Sequence, residues 1–487
     1  MNKKVIRATK WSFVTEIISK LIAPFVNMIL ARILTPEAFG SVATITMIIS
    51  FAEIFTDAGF QKYIVQHEFK DDDDFNLGVN VAFWSNFCLS LIAVLCIGVF
   101  KNQVSNIVGE PALSNGIAVA SVSIILVSFS SIQMAVYRRK FDFKTLFYVR
   151  IVVSLVPLII TVPLAFVFRN YWALIIGTIV SNMTQAVILT CKSTWKPQFK
   201  YSFKKFKEMF SFTSWTLMES ITIWLTGYIG IFIVGRILNT YCLGLYKTAM
   251  TTVNAYMGII TSAVIPVLFS ALSRCQDDEE SYLKTFNEFQ SAIGIFVTPM
   301  GVGIYVYRNL ITNILLGSNW ANISDFMGLW GLVSAFAIVF SNLYSEVFRS
   351  KGRPDISLLS QFIHLCFLIP AIIISVNLSF EAFCITRALI RFQIILVNML
   401  LAHYIFKIKI YETLKNVLPQ FIAAALMGLA GYVMVSLSDN IIWQFLSIFI
   451  CIVIYFMILL LFPGTRKKIL SVEPVRKFIK SKNITEK

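Results

Sequence analysis

The chain has 487 residues, of which 57% are hydrophobic and 14% are charged, and its formal net charge at pH 7 is +16. Soluble globular proteins usually carry about 25% charged residues. This composition, with a mean hydropathy of +0.75, therefore excludes a soluble protein and predicts a membrane protein. Most of the 42 Lys and Arg residues fall in loops that the predicted topology places in the cytoplasm. The positive-inside rule accounts for them, so we expect cytoplasmic termini and no nucleic-acid partner.

Apolar segments long enough to cross a bilayer recur along the whole chain. A spanning helix needs roughly 20 mostly apolar residues, and fourteen segments meet this requirement. The first follows MNKKVIRATK and has no small-residue cleavage site, so we expect it to remain as a helix. The sequence thus predicts an all-α, polytopic membrane protein with about 14 transmembrane helices. The predicted spans are 11–33, 39–60, 78–99, 114–137, 145–168, 171–191, 209–234, 241–270, 286–307, 326–348, 355–377, 380–405, 418–437 and 441–462.

One internal repeat organises these helices. ARILTPEAFG ends at Gly40 and GRILNTYCLG ends at Gly244, 204 residues later, and at the same offset Trp11 matches Trp215. Because this offset contains an even number of predicted helices, both copies enter the membrane from the same side and form a parallel repeat, which is typical of transporters. We predict an N-terminal six-helix lobe at 1–205, a C-terminal six-helix lobe at 206–408, an appended helix pair at 409–462 and a basic cytoplasmic tail at 463–487.

The sequence lacks the features of an enzyme or a metalloprotein. The predicted outer loops are short, and no phosphate-binding glycine loop, nucleophile elbow or zinc-protease motif occurs. The eight cysteines are scattered singly and the three histidines are dispersed, so we expect neither disulfides nor a metal site. A transporter without catalytic residues or a cofactor is the resulting prediction.

Five cations lie inside the predicted spans, where charge is unfavourable. Insertion scales assign each a cost of about 2.5–3.5 kcal/mol near the centre of a helix, so we expect them to face a water-filled cavity instead of lipid. They are Lys20, Arg150, Lys247, Arg387 and Arg391. Helical spacing adds polar residues that we expect to line the same cavity: Glu16, Asn27, Thr251, Asn254 and Asn398.

Ion pairing is the alternative interpretation of these cations. Glu16 and Lys20 are four residues apart, in the order that favours a salt bridge within one helix. Arg387 and Arg391 have no acid beside them on their own helix, but a carboxylate on a neighbouring helix could pair with them. Pairing of every cation would leave no charge for a ligand.

Three carboxylates in the predicted spans are candidates for coupling transport to an ion. Glu53 and Asp57 are four residues apart on one predicted helix face, and two close carboxylates in a low dielectric tend to retain a proton between them. Glu219 lies deep in the seventh predicted helix. We expect the coupling ion, if one is used, to be H+ or Na+.

The excess of interior cations favours an anionic ligand. Arginine and lysine in a partly dry cavity suit phosphate, which arginine can bind through two parallel hydrogen bonds. Hydroxyl and amide side chains nearby suit the hydroxyl groups of sugars. An amphiphile with a phosphate head and a lipid tail would fit such a groove.

Three N-terminal segments resemble a known family. RILTPEAFG, FTDAGFQKYIVQ and IQMAVYRRKFDF are similar to segments of the polysaccharide transport family of lipid-linked oligosaccharide flippases, in the superfamily that also contains multidrug and toxic-compound exporters. The resemblance implies a location in the bacterial plasma or inner membrane. It implies that undecaprenyl-pyrophosphate-linked oligosaccharide units move from the cytoplasmic to the outer leaflet for capsule, exopolysaccharide or O-antigen. It also implies membrane lipids, a polysaccharide polymerase and other assembly proteins as partners, and proton or cation antiport as the energy source.

Two other functions stay open at this point. A cation-coupled multidrug exporter would share the architecture, but exporters of organic cations favour acidic and aromatic cavities. A polysaccharide ligase or polymerase would also be polytopic, but such an enzyme needs a sizeable outer loop, and the predicted outer loops are short.

Overall fold

The structure, a computed structural model, describes residues 22–466 apart from Ala58 and Thr194, and their side chains apart from those of residues 211–216 and Glu219. All regular secondary structure in this range is helical. The α-helices are α1 (Ile22–Ile33), α2 (Pro36–Asp57), α3 (Phe60–Gln66), α4 (Asp72–Val99), α5 (Lys101–Ile107), α6 (Ser114–Arg139), α7 (Phe143–Val156), α8 (Val162–Phe168), α9 (Trp172–Lys192), α10 (Phe203–Ile237), α11 (Thr240–Arg274), α12 (Glu279–Val306), α13 (Arg308–Leu315), α14 (Ser324–Ala337), α15 (Leu343–Ser350), α16 (Pro354–Val376), α17 (Phe380–Leu389), α18 (Arg391–Phe406), α19 (Ile410–Leu437) and α20 (Ile441–Leu461).

The helical segments of membrane-spanning length agree with the sequence. Thirteen segments of the described residues are long and apolar enough to cross a membrane, and each overlaps one of the thirteen predicted spans from 39–60 to 441–462. Only residues 22–33 of the first predicted span, 11–33, are described, and they form α1. The all-α, polytopic fold is therefore confirmed, whereas the count of 14 helices is not.

Three of the spans contain a local break in the α-helix. A π turn at Pro157–Thr161 joins α7 to α8, and another at Ile338–Asn342 joins α14 to α15. Proline lacks a backbone donor, which explains the first of these. A third break, at Ile390, separates α17 from α18. This last break lies between two of the predicted cavity cations, Arg387 and Arg391.

The acidic run at Asp71–Asp74 begins helix α4. Asp71 Oδ1 accepts a hydrogen bond from the Asp74 backbone N–H at 2.7 Å, which makes Asp71 the N-cap. Asp72 and Asp73 follow in the first turn, where negative charge interacts favourably with the helix dipole. The run therefore specifies where the helix starts.

Contacts group the described residues into two compact units. The first unit contains the described residues up to Thr252, with Leu315–Trp320 and Gln361–Thr386. The second contains Val253–Ile314, Ala321–Ser360 and the described residues from Arg387 onward. The lobe boundaries that the repeat suggests, 1–205, 206–408, 409–462 and 463–487, stay a prediction.

The two glycines that the repeat aligns face each other within the first unit. Gly40 of α2 and Gly244 of α11 are both buried. A Cβ added to Gly40 would overlap the Thr240 carbonyl oxygen, and one added to Gly244 would overlap the Pro36 carbonyl oxygen. The two backbones can approach this closely because each helix has small residues four positions apart, Gly40 and Thr44 on α2 and Thr240 and Gly244 on α11. The repeated motif therefore marks a helix-packing contact.

Polar side chains join three helices of the second unit. Helices α12, α19 and α20 enclose an apolar core. Across it, Gln420 Nε2 donates to Ser291 Oγ at 2.8 Å, and Tyr455 Oη donates to the Ile295 carbonyl oxygen at 2.8 Å. Hydrogen bonds between helices stabilise bundles in membranes, where burial of apolar surface alone does not drive association. The two C-terminal helices are therefore an integral part of this unit.

Candidate functional site

Two of the predicted cavity cations meet on one tryptophan in the second unit. The guanidinium carbon of Arg387 lies 5.2 Å from the centroid of the Trp330 ring, and that of Arg391 lies 4.4 Å from it. Helix α17 ends at Leu389 and α18 begins at Arg391, so the arginines flank the break at Ile390. One indole thus holds two positive charges close together.

Hydrogen bonds fix both the ring and one of the guanidinium groups. Trp330 Nε1 donates to Asn254 Oδ1 at 3.1 Å, and Arg391 Nη1 donates to Ser334 Oγ at 2.6 Å. Trp330 and Arg387 are 3% and 5% exposed, whereas Arg391 is half-buried. Desolvated cation–π contacts contribute about 2 kcal/mol or more, which offsets part of the cost of burial. These five residues form the arginine–tryptophan cluster, in which the half-buried Arg391 has a second positive charge close by.

Asn398, predicted to line the same cavity, lies instead in a buried network of hydroxyl groups. Its side chain is 1% exposed. Asn398 Nδ2 donates to Ser341 Oγ at 2.7 Å, and its Oδ1 accepts from Ser360 Oγ at 2.5 Å. Both ends of the amide are therefore used within the core, which favours a packing role for this residue.

In the first unit, Lys247 of α11 meets an aromatic residue of α10. Its Nζ lies 5.2 Å from the centroid of the Tyr228 ring, and both side chains are half-buried. The exposed Thr251 donates its hydroxyl hydrogen to the Lys247 carbonyl oxygen at 2.7 Å. Asn27 on α1 and Arg150 on α7 are exposed.

Three of the predicted site residues have side chains outside the part of the chain that the structure describes. Glu16 and Lys20 lie outside the described residues, and so does the side chain of Glu219. The predicted salt bridge between Glu16 and Lys20 and the coupling role of Glu219 therefore stay predictions.

Glu53 and Asp57 line cavities in the first unit. Glu53 and Ser50 line both a cavity of about 280 Å³ and another of about 300 Å³, and Asp57 lines the second. Asp57 Oδ1 accepts a hydrogen bond from Gln61 Nε2 at 3.3 Å, and Gln61 Oε1 accepts one from Arg138 Nη1 at 3.5 Å. Since Glu53 borders both cavities, an ion could reach its carboxylate from either one.

Neutral hydroxyl and amide side chains supply much of the remaining polar lining of these cavities. In the first they are Thr46, Ser123, Thr178 and Asn182. In the second they are Thr56, Gln61, Asn86, Ser131 and Ser220. In residues 22–466, apart from those left undescribed, no group of three or more His, Cys, Asp and Glu residues is arranged to hold a metal ion.

The aromatic partners of the cations were not predicted from the sequence. A search for charge within spans does not find Trp330 or Tyr228, because aromatic residues are common in membrane helices. One signal was present: Trp330 and Ser334 are four residues apart, as are Trp224 and Tyr228, so each pair shares a helix face. Which cation meets that face depends on how separate helices pack.

Comparisons with known proteins agree with this architecture. The sequence profile of the family described as polysaccharide biosynthesis protein matches residues 29–325, more than half of the chain. The lipopolysaccharide biosynthesis protein WzxC of Escherichia coli (strain K12) is 22% identical over 411 residues, which cover 83% of this chain and 81% of that protein. The succinoglycan biosynthesis transport protein ExoT of Rhizobium meliloti (strain 1021) is 24% identical over 333 residues, or 68% of this chain and 66% of that protein.

One solved structure shows the same fold over nearly the whole chain. The lipid II flippase MurJ, in an inward closed conformation, superposes with a TM-score of 0.76 at 15% sequence identity. The match covers 93% of this chain and 98% of that one. At this level of identity, the likeness concerns the fold.

Proposed function

Because the chain belongs to the polysaccharide biosynthesis protein family, we propose that it is a flippase for undecaprenyl-pyrophosphate-linked oligosaccharide repeat units. It moves them from the cytoplasmic to the outer leaflet of the bacterial plasma membrane for surface polysaccharide, and both its termini are cytoplasmic. The function is transport and not catalysis. The names of the relatives support this proposal, since they refer to lipopolysaccharide biosynthesis, succinoglycan transport and a lipid II flippase. The flipped unit then passes to a polymerase and other assembly proteins.

The observation that carries the proposal is the arginine–tryptophan cluster. Arg387 and Arg391 on one indole place two guanidinium groups close together inside a bundle of apolar helices. A diphosphate offers two negative groups to such a pair, and guanidinium binds phosphate through parallel hydrogen bonds. Within the first unit, Lys247 is another half-buried cation. The anionic head of a lipid-linked glycan has the charge that complements the two arginines.

The energy source in this proposal is an ion gradient that drives alternating access. Glu53 and Asp57 are the candidates for holding H+ or Na+, because both border polar cavities. A carboxylate that binds an ion in one state and releases it in another can bias the transport cycle only through its different affinity for the two states. No cofactor is required.

A deletion strain tests the direction of transport. Without this protein, lipid-linked repeat units should accumulate on the cytoplasmic leaflet, and the wild-type gene on a plasmid should restore their appearance on the outer leaflet. Leaflet location can be measured by the access of a membrane-impermeant glycosidase to spheroplasts and to inverted vesicles.

Two other outcomes of the deletion would contradict the flippase. Accumulation on the outer leaflet would indicate a polymerase or ligase, because the units would already have crossed the membrane. Unchanged glycan export with increased sensitivity to cationic drugs would indicate a multidrug exporter.

Neutralising Glu53 should uncouple transport from the ion gradient. In proteoliposomes we expect Glu53→Gln to lower the rate of gradient-driven flipping roughly 5- to 150-fold. This factor corresponds to the usual coupling free energy between two binding sites. Slow flipping without a gradient should remain. Asp57→Asn should lower gradient-driven flipping by a smaller factor. One oxygen of Asp57 already accepts a hydrogen bond from Gln61, so this carboxylate is less available to an ion. Separate H+ and Na+ gradients identify the ion.

Glu37 provides the matched control for this experiment. It is an exposed acid in the first turn of the same helix, α2, so Glu37→Gln removes one charge from α2 at a different place. This variant should transport like the wild type. Equal gradient dependence of the Glu53→Gln variant and the wild type would exclude Glu53 as the coupling residue.

A further inference from the structure

A strip of aromatic residues runs along α10 in the first unit. Ser220, Trp224 and Tyr228 are spaced four residues apart and so share one face of the helix. The rings of Trp224 and Tyr228 are stacked, with centroids 5.3 Å apart and an interplanar angle of 23°. Both side chains are half-buried, and the Phe51 ring of α2 packs against Trp224 with centroids 4.7 Å apart.

Polar and charged groups of other helices lie at both ends of this strip. At one end Trp224 Nε1 donates to Ser50 Oγ at 3.0 Å, and Ser50 lines both cavities that Glu53 borders. At the other end Lys247 lies over the Tyr228 ring. Ionisable groups do not face hydrocarbon without a large cost in free energy. The strip therefore lies beside polar groups of α2 and α11.

The chemistry of the strip matches that of a sugar. A pyranose ring has a face of C–H groups, which stacks on an aromatic ring, and an edge of hydroxyl groups, which needs hydrogen-bond partners. Ligand pockets commonly combine aromatic surface with a few oriented polar groups. Beside the strip, Glu53, Thr46 and Asn182 line the smaller cavity and supply acceptors and donors for hydroxyl groups.

We propose that Trp224 and Tyr228 form a stacking platform for sugar rings, next to Lys247, which holds the adjoining phosphate. This inference rests on the proposed flippase function and deepens it. It separates two parts of recognition: cations bind the diphosphate that every substrate of this class shares, and the platform binds the glycan. Trp224 is then a residue that determines specificity.

Binding of two lipids to the purified full-length protein tests the platform. One is the lipid-linked glycan extracted from the cells that make the protein, and the other is undecaprenyl pyrophosphate without sugar. We expect Trp224→Ala to weaken binding of the glycan-bearing lipid roughly tenfold, as expected for the loss of one aromatic stacking contact. Binding of the bare lipid should stay unchanged. Trp224→Phe should restore most of the affinity for the glycan-bearing lipid. Lys247→Gln should lower the affinity for both lipids by the same factor.

The readout is the ratio of the two affinities, which does not depend on the fraction of protein that is folded. Trp224→Leu serves as a second variant that fills the site with apolar volume but has no aromatic face, and it should behave like Trp224→Ala. Trp443 is the matched control, since it is another half-buried tryptophan whose Nε1 donates to a carbonyl oxygen, that of Met434, at 2.7 Å. Trp443→Ala should leave the ratio unchanged.

Different results overturn different conclusions. If the wild type binds both lipids equally well, or if Trp224→Ala and Trp224→Leu weaken both lipids by the same factor, the platform is wrong and the flippase proposal stands. If the wild type binds neither lipid, the flippase proposal itself fails and the platform fails with it.

Discussion

The double variant Arg387→Gln/Arg391→Gln should reach the membrane at wild-type levels and lose glycan export by roughly 100-fold or more. Each charge-assisted hydrogen bond to phosphate contributes about 1.5–3 kcal/mol, and every 1.4 kcal/mol is a factor of about ten. Insertion should not suffer, because glutamine removes a charge from the interior of the bundle. Export is measured as surface polysaccharide per cell, and insertion by immunoblot of the membrane fraction.

The single variants divide this effect between the two arginines. Arg391 is half-buried and should contact the anion, so Arg391→Gln should account for most of the loss. Arg387 is buried against Trp330, and Arg387→Gln should cost less. Arg391→Lys keeps the charge but not the paired donors of guanidinium, so it should fall between Arg391→Gln and the wild type.

Arg308 is the matched control for these substitutions. It belongs to the same unit and forms an ion pair with the exposed Asp325 at 2.6 Å. Such pairs contribute about 0–1 kcal/mol, so Arg308→Gln should leave export within a few-fold of the wild type. Wild-type export by the double variant would show that the arginine–tryptophan cluster does not bind the substrate.

Replacing either glycine of the repeat contact with alanine should destabilise the protein. A Cβ at Gly40 or Gly244 would overlap a carbonyl oxygen of the facing helix, so α2 and α11 would have to move apart. Overpacking of this kind costs about 1–3 kcal/mol. The two losses should not add, because the residues share one contact. A lower midpoint of thermal unfolding in detergent is the measurement.

Gly98 tests whether any Gly→Ala substitution has this effect. It lies in α4, and no atom comes within 4 Å of a Cβ built on it. Gly98→Ala should be neutral or should stabilise the protein by up to about 1 kcal/mol, since alanine loses less conformational freedom on folding. If Gly40→Ala and Gly98→Ala unfold at the same temperature, the close approach of α2 and α11 is not a stabilising contact.

The resemblance to the flippase family is confirmed by the family match over residues 29–325, and it was visible in three short segments of the N-terminal half. The sequence also identified the cations that lie within the predicted spans. Arg387, Arg391 and Lys247 are half-buried or buried, as the cost of placing charge in a membrane requires. Their substrate-binding role, and that of Lys20 and Arg150, stays a prediction.

Helix spacing was a weaker guide to the site than charge. Asn398 shares a face with Arg391 by spacing, but the structure places it in a hydrogen-bonded core with Ser341 and Ser360. The burial of Asn398 depends on its contacts with residues of other segments, Ser341 and Ser360, and the helix is interrupted at Ile390. The spacing of residues along one helix shows which side chains share a face, but not which other helix that face contacts.

The sequence by itself determined the thirteen spans and the family, because a run of about 20 apolar residues and a short sequence motif are local properties of the chain. Only the tertiary structure decided that two arginines lie over the Trp330 ring, that Trp224 donates a hydrogen bond to Ser50, and that Gly40 packs against Gly244. These contacts join helices far apart in sequence, and they depend on the rotation and tilt of each helix. Those two quantities are set by side-chain packing along the whole interface, which no single segment encodes.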